Sequence, residues 1–169
     1  NASVVSAARR LNDKGGFDAV LIADGGRIAA IAAPVLKANA ATRLLGTELW
    51  SGESVIASTP AIRGAWFSAV ADNRFRQFAS SYKTRFGVQP YRIATLGYDG
   101  VLLTLRVARE WKPGTTFPIA RLLDEGGFLG LDGPFRFGRS GVIERALEVR
   151  EVRAGGVATV SPAPTAFEH

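Results

Sequence analysis

Cysteine and methionine are absent from the 169 residues, and the only histidine is the last residue, His169. Without cysteine there is no disulfide, no thiolate nucleophile and no thiolate metal site. With one terminal histidine, a Ser-His-Asp triad, a Cys-His pair and a histidine-rich metal site are excluded together. Long apolar runs are missing too, and nothing approaches the eighteen or so residues of a membrane span. Asn1–Ser3 lead straight into a helical pattern with no basic start or apolar stretch, so no signal peptide is legible and the start reads as mid-chain. Positive charge is plentiful but unordered. The net charge is +6, yet Arg43, Arg63, Arg92, Arg121 and Arg153 are scattered among acidic and apolar neighbours. No basic stripe interleaved with aromatics offers a nucleic-acid surface, so nucleic acid is not an expected partner.

What is present is a core. Hydrophobic residues make up 47% of the chain, enough for one domain or one lobe of a larger protein. The most informative stretch runs from Phe17 to Trp50. An apolar strand over 17–23 gives way to Asp24-Gly25-Gly26-Arg27, a helix is expected over 27–40, and Arg43–Leu45 leads into Gly46-Thr47-Glu48-Leu49-Trp50. That succession is a βαβ crossover of a parallel sheet. Ligands of open parallel sheets gather beyond the carboxyl ends of the strands. Two carboxylates, an arginine and a tryptophan therefore share one rim, a setting suited to binding a small polar molecule.

Elsewhere the patterns are clear in kind. Helices are expected over 3–11, 72–86, about 91–111 and 117–125, and Pro34 is expected to kink or delay the helix around it. Asp72 is a good N-cap and Gly87 a C-terminal stop. The stripe Phe75, Phe78, Ala79, Tyr82 and Phe86 reads as core packing. Apolar residues on more than one face of the 91–111 helix predict burial on two sides or docking against a partner. The tail is β-rich: strands at 135–137, 143–153 and 157–160, with a hairpin turn at Ala154–Gly156. Alternation in Leu147-Glu148-Val149-Arg150 predicts a strand with one wet face.

In order and spacing these segments resemble a known family. Phe17–Leu21 into Asp24–Gly26, Leu44–Glu48, the strand at Gly64–Phe67, Phe75–Phe86, Tyr98–Val101 and Gly133–Phe137 follow one succession. It is similar to the carboxyl-terminal half of type I periplasmic solute-binding proteins of the leucine/isoleucine/valine class, and nearest to the bacterial penicillin-binding protein activators. The resemblance implies an α/β fold, a parallel sheet flanked by helices with a β-rich tail. It assigns 1–67 to a second lobe, 68–144 to a returning first-lobe portion, and 145–169 to second-lobe terminal strands and tail. By the same resemblance Glu48 falls where amino-acid binders present a carboxylate to the ligand ammonium. Asp24 and Gly25 fall on the rim loop where those members place a binding aromatic, and no tyrosine stands there. Asp24 is equally readable as an N-cap, Gly25-Gly26 as a small anion cradle, and Trp50 as a ligand platform or a packing residue.

The implied function is a non-enzymatic, periplasmic or envelope ligand binder of the ABC-transporter substrate-binding type, lipid-anchored through a segment upstream of Asn1. It would close two lobes on a small polar solute such as an amino acid and deliver it to a membrane permease. The alternative is a regulator that contacts a peptidoglycan synthase. Asp24 and Glu48 could in principle share acid–base work, but no nucleophile, metal or cofactor loop accompanies them, so neither an enzyme nor a cofactor is expected. Because the helix around Leu96–Val107 should expose an apolar face, the missing half is expected from another chain, as a separate fragment or a swapped copy.

Overall fold

The computed structural model describes residues 2–38 and 41–167. In chain order its helices and strands are α1 (Ala2–Lys14), β1 (Ala19–Ile22), α2 (Gly26–Leu36), β2 (Arg43–Gly46), α3 (Ser54–Ser58), β3 (Trp66–Ala69), α4 (Asn73–Phe86), α5 (Ala94–Val107), β4 (Phe128–Gly130), β5 (Gly133–Phe137), β6 (Ile143–Arg145), β7 (Glu148–Arg153) and β8 (Gly156–Ser161). They form two compact units. One comprises the chain up to Ala69 together with Glu148–Pro162; the other comprises Val70–Leu147 and the chain from Ala163. The segment expected as a single tail over 145–169 is thus divided. Arg145 ends β6, which pairs with β5, and Phe167 lies under the Arg136 guanidinium, 4.5 Å from ring centroid to carbon.

The first unit is built on a five-stranded sheet in the order β1-β2-β3-β7-β8. β1, β2 and β3 run parallel, and β7 and β8 are antiparallel additions. The crossover read from the sequence is present as β1–α2–β2. Its helix ends at Leu36, with Pro34 in the final turn. Proline carries no N–H and its ring crowds the preceding turn, so the helix closes soon after it. The expected end at Ala40 lies outside the described residues, as does His169. One face of the sheet carries Ile22, Leu44, Phe67, Ala69 and Val152 into a core shared with Ala29, Ala33 and Leu36 of α2 and Ala8 of α1. α1 packs beside α2, and Asn12 Nδ2 donates to the Val35 carbonyl at 2.6 Å.

The opposite face is open. β1, apolar throughout, is nevertheless an edge strand whose Leu21 is 61% exposed. Trp66 is 40% exposed, with the Arg43 guanidinium 4.6 Å from its ring centroid. Its indole N–H donates to Glu151 at 3.1 Å. That bond and the Arg153 guanidinium hold the Glu151 carboxyl below its ordinary value.

In β7 the phase of alternation is the reverse of the expected one. Glu148, Arg150 and Val152 are buried, while Val149 is only half-buried. The pairing of β7 with β3 fixes Val152 on the core side, and residues two and four positions earlier must follow it. The inward charges neutralise each other: Arg150 Nε donates to Glu148 Oε1, which also accepts from Thr159 Oγ1. The expected continuous strand over 143–153 is interrupted at Ala146–Leu147, where the chain leaves one sheet for the other.

The second unit sets α4 and α5 with an antiparallel three-stranded sheet, β4-β5-β6. Asp99 on α5 accepts from the Leu131 amide at 2.9 Å. Gly130 makes room for that carboxylate, since a Cβ there would collide with it. Arg92 bridges Asp72 at 2.7 Å and Asp132 at 2.8 Å, and Thr95 Oγ1 donates to Asp132 at 2.7 Å. Asp72 occupies the N-cap position of α4 but makes no side-chain capping bond. The aromatic stripe of α4 is a half-open ladder. Phe78 and Tyr82 are half-buried with ring centroids 5.9 Å apart, and Phe86 is 57% exposed. Over 117–125 only a 3-10 turn forms, Ile119–Leu123, because Pro118 removes a donor and Gly126-Gly127 follow closely.

Three variants test this packing. Glu148→Gln removes the carboxylate charge that the Arg150 guanidinium meets at Glu148 and should cost about 3 kcal/mol in denaturant unfolding. The paired replacement Glu148→Leu with Arg150→Met should cost less than that single change. Gly46→Ala places a methyl group inside the Trp50 ring and should destabilise the first unit by about 1–3 kcal/mol, with a red-shifted tryptophan emission.

Candidate functional site

The register of β1 on β2 pairs Ile22 with Gly46, so the loops that leave these two strands emerge side by side. Gly46 has no side chain, and the Trp50 indole lies in the space a Cβ would fill. Trp50 is 1% exposed, packs 5.9 Å from the Phe67 ring, and donates its Nε1 proton to the Asp24 carbonyl at 2.9 Å. One side chain thereby locks the 23–25 loop to the 47–50 loop. Of the two roles readable for Trp50, packing is the one the geometry gives: its ring faces the core, and it serves the rim by fixing the backbone there.

Asp24 is exposed, and its Oδ1 accepts from the Gly25 amide at 2.7 Å. The N-cap of α2 is Gly25, with φ −64° and ψ 163°, so Asp24 precedes the cap rather than forming it. Its carboxylate sits where an anion would enter the Gly25-Gly26 turn. A second anion there would meet like charge, which makes the turn a poor phosphate cradle and an electronegative corner instead.

Glu48 opens a 3-10 turn, Glu48–Trp50, and its carboxylate is exposed, with no hydrogen bond or ion pair among the described residues. Thr47 and Ser51 flank it. The Thr47 and Ser51 hydroxyl oxygens are buried without a hydrogen-bond partner among the described residues. A buried hydroxyl with no partner carries a desolvation cost, and these two stand beside the rim carboxylate. Sequence reading missed both; the only signal was one small hydroxyl residue on either side of the Glu48 turn. The structure thus brings Asp24, Gly25, Glu48 and Trp50 to one pair of loops, with two carboxylates outward and one aromatic inward.

The second unit carries a different concavity. An open groove of about 810 Å³ lies along α4 and α5, lined by Phe78, Tyr82, Phe86, Tyr98 and Val101, with Arg74 and Arg85 beside them. Its lining is mainly apolar, with Arg74, Gln77, Ser81 and Arg85 as its polar members, so it suits packing against another largely apolar surface better than holding a small polar solute. Among the described residues no three of His, Cys, Asp and Glu gather as a metal site, and no helix is long and apolar enough to cross a membrane.

No protein-family model matches the chain, and no curated protein does. Solved structures do. A leucine-binding protein from Thermotoga maritima is 19% identical with a TM-score of 0.64, over 93% of this chain and 47% of that one. The branched-chain amino acid transporter substrate binding protein from Streptococcus pneumoniae, in complex with isoleucine, is 18% identical with a TM-score of 0.58, over 94% and 48%. The C-domain of LpoA from Haemophilus influenzae, a regulator of PBP1A, is 14% identical with a TM-score of 0.60, over 93% and 49%. These neighbours are binding proteins and a regulator. The chain spans about half the length of each, and over that span it has the fold of the type I periplasmic binding proteins.

Proposed function

We propose that this chain is the second-lobe-bearing half of a non-enzymatic periplasmic or envelope binding protein, whose rim at the ends of β1 and β2 holds the amine of a small polar solute such as an amino acid. The first unit, 1–69 with 148–162, is the second lobe; the second unit contributes returning first-lobe elements. The observation that carries the reading is the locked rim. Trp50 fixes the two loops, Glu48 presents an unpaired carboxylate, and Asp24 adds a second negative group. An ammonium suits such a corner because charge-assisted hydrogen bonds strengthen as a closing lobe excludes water. The bound isoleucine of one structural neighbour supports the solute class, and delivery to a membrane permease would follow from that assignment.

A second reading is favoured by one feature of the same rim. Among the described residues of the rim loops no aromatic side chain is exposed: Ala23 and Asp24 occupy the exposed loop, and Trp50 is enclosed. A cleft without an aromatic lid fits a protein that regulates a peptidoglycan synthase by contact, as the similarity to the LpoA C-domain suggests.

Calorimetry of the full-length protein against amino acids, small peptides and cell-wall fragments separates the two. Heat from an amine-bearing solute supports the binder. Silence from all of them, with synthase recovered in a pull-down from envelope extract, supports the regulator and overturns the binder. Within the first reading, Glu48→Gln keeps shape and removes charge. It should weaken binding by about 1.5–3 kcal/mol, the range for a charge-assisted hydrogen bond. Unchanged affinity would make Glu48 a bystander.

A further inference from the structure

In the second unit Arg92, Arg121 and Arg136 are each paired with a carboxylate. The basic residues of α4 are not. Arg74, Arg76, Lys83 and Arg85 are exposed and make no ion pair among the described residues. The helix itself carries no acidic residue to answer them. Four unanswered cations on one helix call for negative charge from outside it.

Two of these cations edge the α4–α5 groove. Arg74 lies near the start of α4 and Arg85 near its end, about three turns or roughly 16 Å apart along the axis. α4 and α5 meet through the Phe78 and Tyr98 rings, 5.1 Å between centroids, and both rings line the groove. Phe78-Tyr82-Phe86 on α4 and Ala94-Tyr98-Leu102 on α5 are rows of side chains four positions apart. Such rows are the ridges between which a further helix seats. No acidic residue lines the groove among the described residues, and the Tyr82 and Tyr98 hydroxyls make no hydrogen bond there. Unpaired charge is foreign to a domain core, whereas aromatic residues and arginine together are enriched at protein–protein interfaces. An anionic lipid surface would match the charge but not the shape. A membrane-binding helix buries a protruding apolar face, and these rings line a concavity.

We propose that the α4–α5 groove is the docking site for an amphipathic, acidic helix of another protein. Its apolar stripe packs on Phe78, Tyr82 and Tyr98, in the manner of a helix laid into an apolar groove. Two of its carboxylates, about three turns apart, meet Arg74 and Arg85 in charge-assisted hydrogen bonds. Charge complementarity selects this occupant: a neutral or basic apolar helix would fill the groove but leave both guanidinium groups unanswered at its edge. The inference concerns the second unit alone and rests on neither reading of the rim.

A photo-crosslinking amino acid at position 81 of the full-length protein, expressed in the source cells, reports what occupies the groove. Ser81 is exposed and lines it. The expected adduct joins a different protein, and the trapped peptide, sequenced by mass spectrometry, carries Asp or Glu about three turns apart beside an apolar stripe. That peptide, synthesised, should bind the full-length protein. The paired substitution Arg74→Ala with Arg85→Ala should weaken it about tenfold or more, as should exchange of its two acids for lysine. The paired substitution should leave the melting temperature unchanged, since neither arginine has an ion-pair partner in the fold. An adduct within the same polypeptide, to a second copy or to lipid overturns the proposal. So does a trapped segment without the acids, an affinity indifferent to the two arginines, or the absence of any adduct.

Discussion

The rim depends on one contact, the Trp50 indole seated on Gly46 with its N–H on the Asp24 carbonyl. Parallel pairing of β1 and β2 brings two loops together, but loops alone would move independently. A buried aromatic anchored at both ends converts them into one body, and the requirement propagates. Position 46 must lack a side chain, the chain must turn tightly over 48–50 to bring the ring back, and Phe67 on the next strand must fill the other side of it. Exposed carboxylates on such a body hold their positions because the backbone beneath them is fixed. Preorganisation of that kind reduces the ordering cost of binding.

The charges divide by environment. Glu148 and Arg150 pair inside the first unit, and Arg92 bridges Asp72 and Asp132 in the second. Asp24 and Glu48 are left facing outward. Buried charges persist only with partners, so those networks hold the fold, while the outward Asp24 and Glu48 are the groups on which the proposed binding reading rests.

Much of this was legible in the sequence, for definable reasons. The β1–α2–β2 unit showed because an apolar run, a Gly pair and a second apolar run are local signals. Gly87 stopped α4 as expected, with a left-handed φ of 77°. The hairpin at Ala154–Gly156 joined β7 to β8. What was not legible depended on partners distant in sequence. The inward turn of Glu148 and Arg150 follows from register against β3, which alternation cannot reveal. The exposure of Leu21 and Phe86 depends on what covers them. The segment expected as a helix over 117–125 forms only a 3-10 turn, Ile119–Leu123, bounded by Pro118 and by Gly126-Gly127. At the rim, Asp24 and Glu48 were visible as strand-end acids. The inward orientation of Trp50 was not, because it follows from the empty space at Gly46, and neither were the hydroxyls of Thr47 and Ser51.

The most direct measurement of the central claim is an amide chemical-shift map of the protein titrated with amino acids, which detects binding even at millimolar affinity. The account predicts perturbations concentrated at Asp24, Gly25 and Thr47–Ser51, with the Trp50 indole resonance moving alongside them. Perturbations absent from those residues, or gathered instead along the α4–α5 groove, would contradict it.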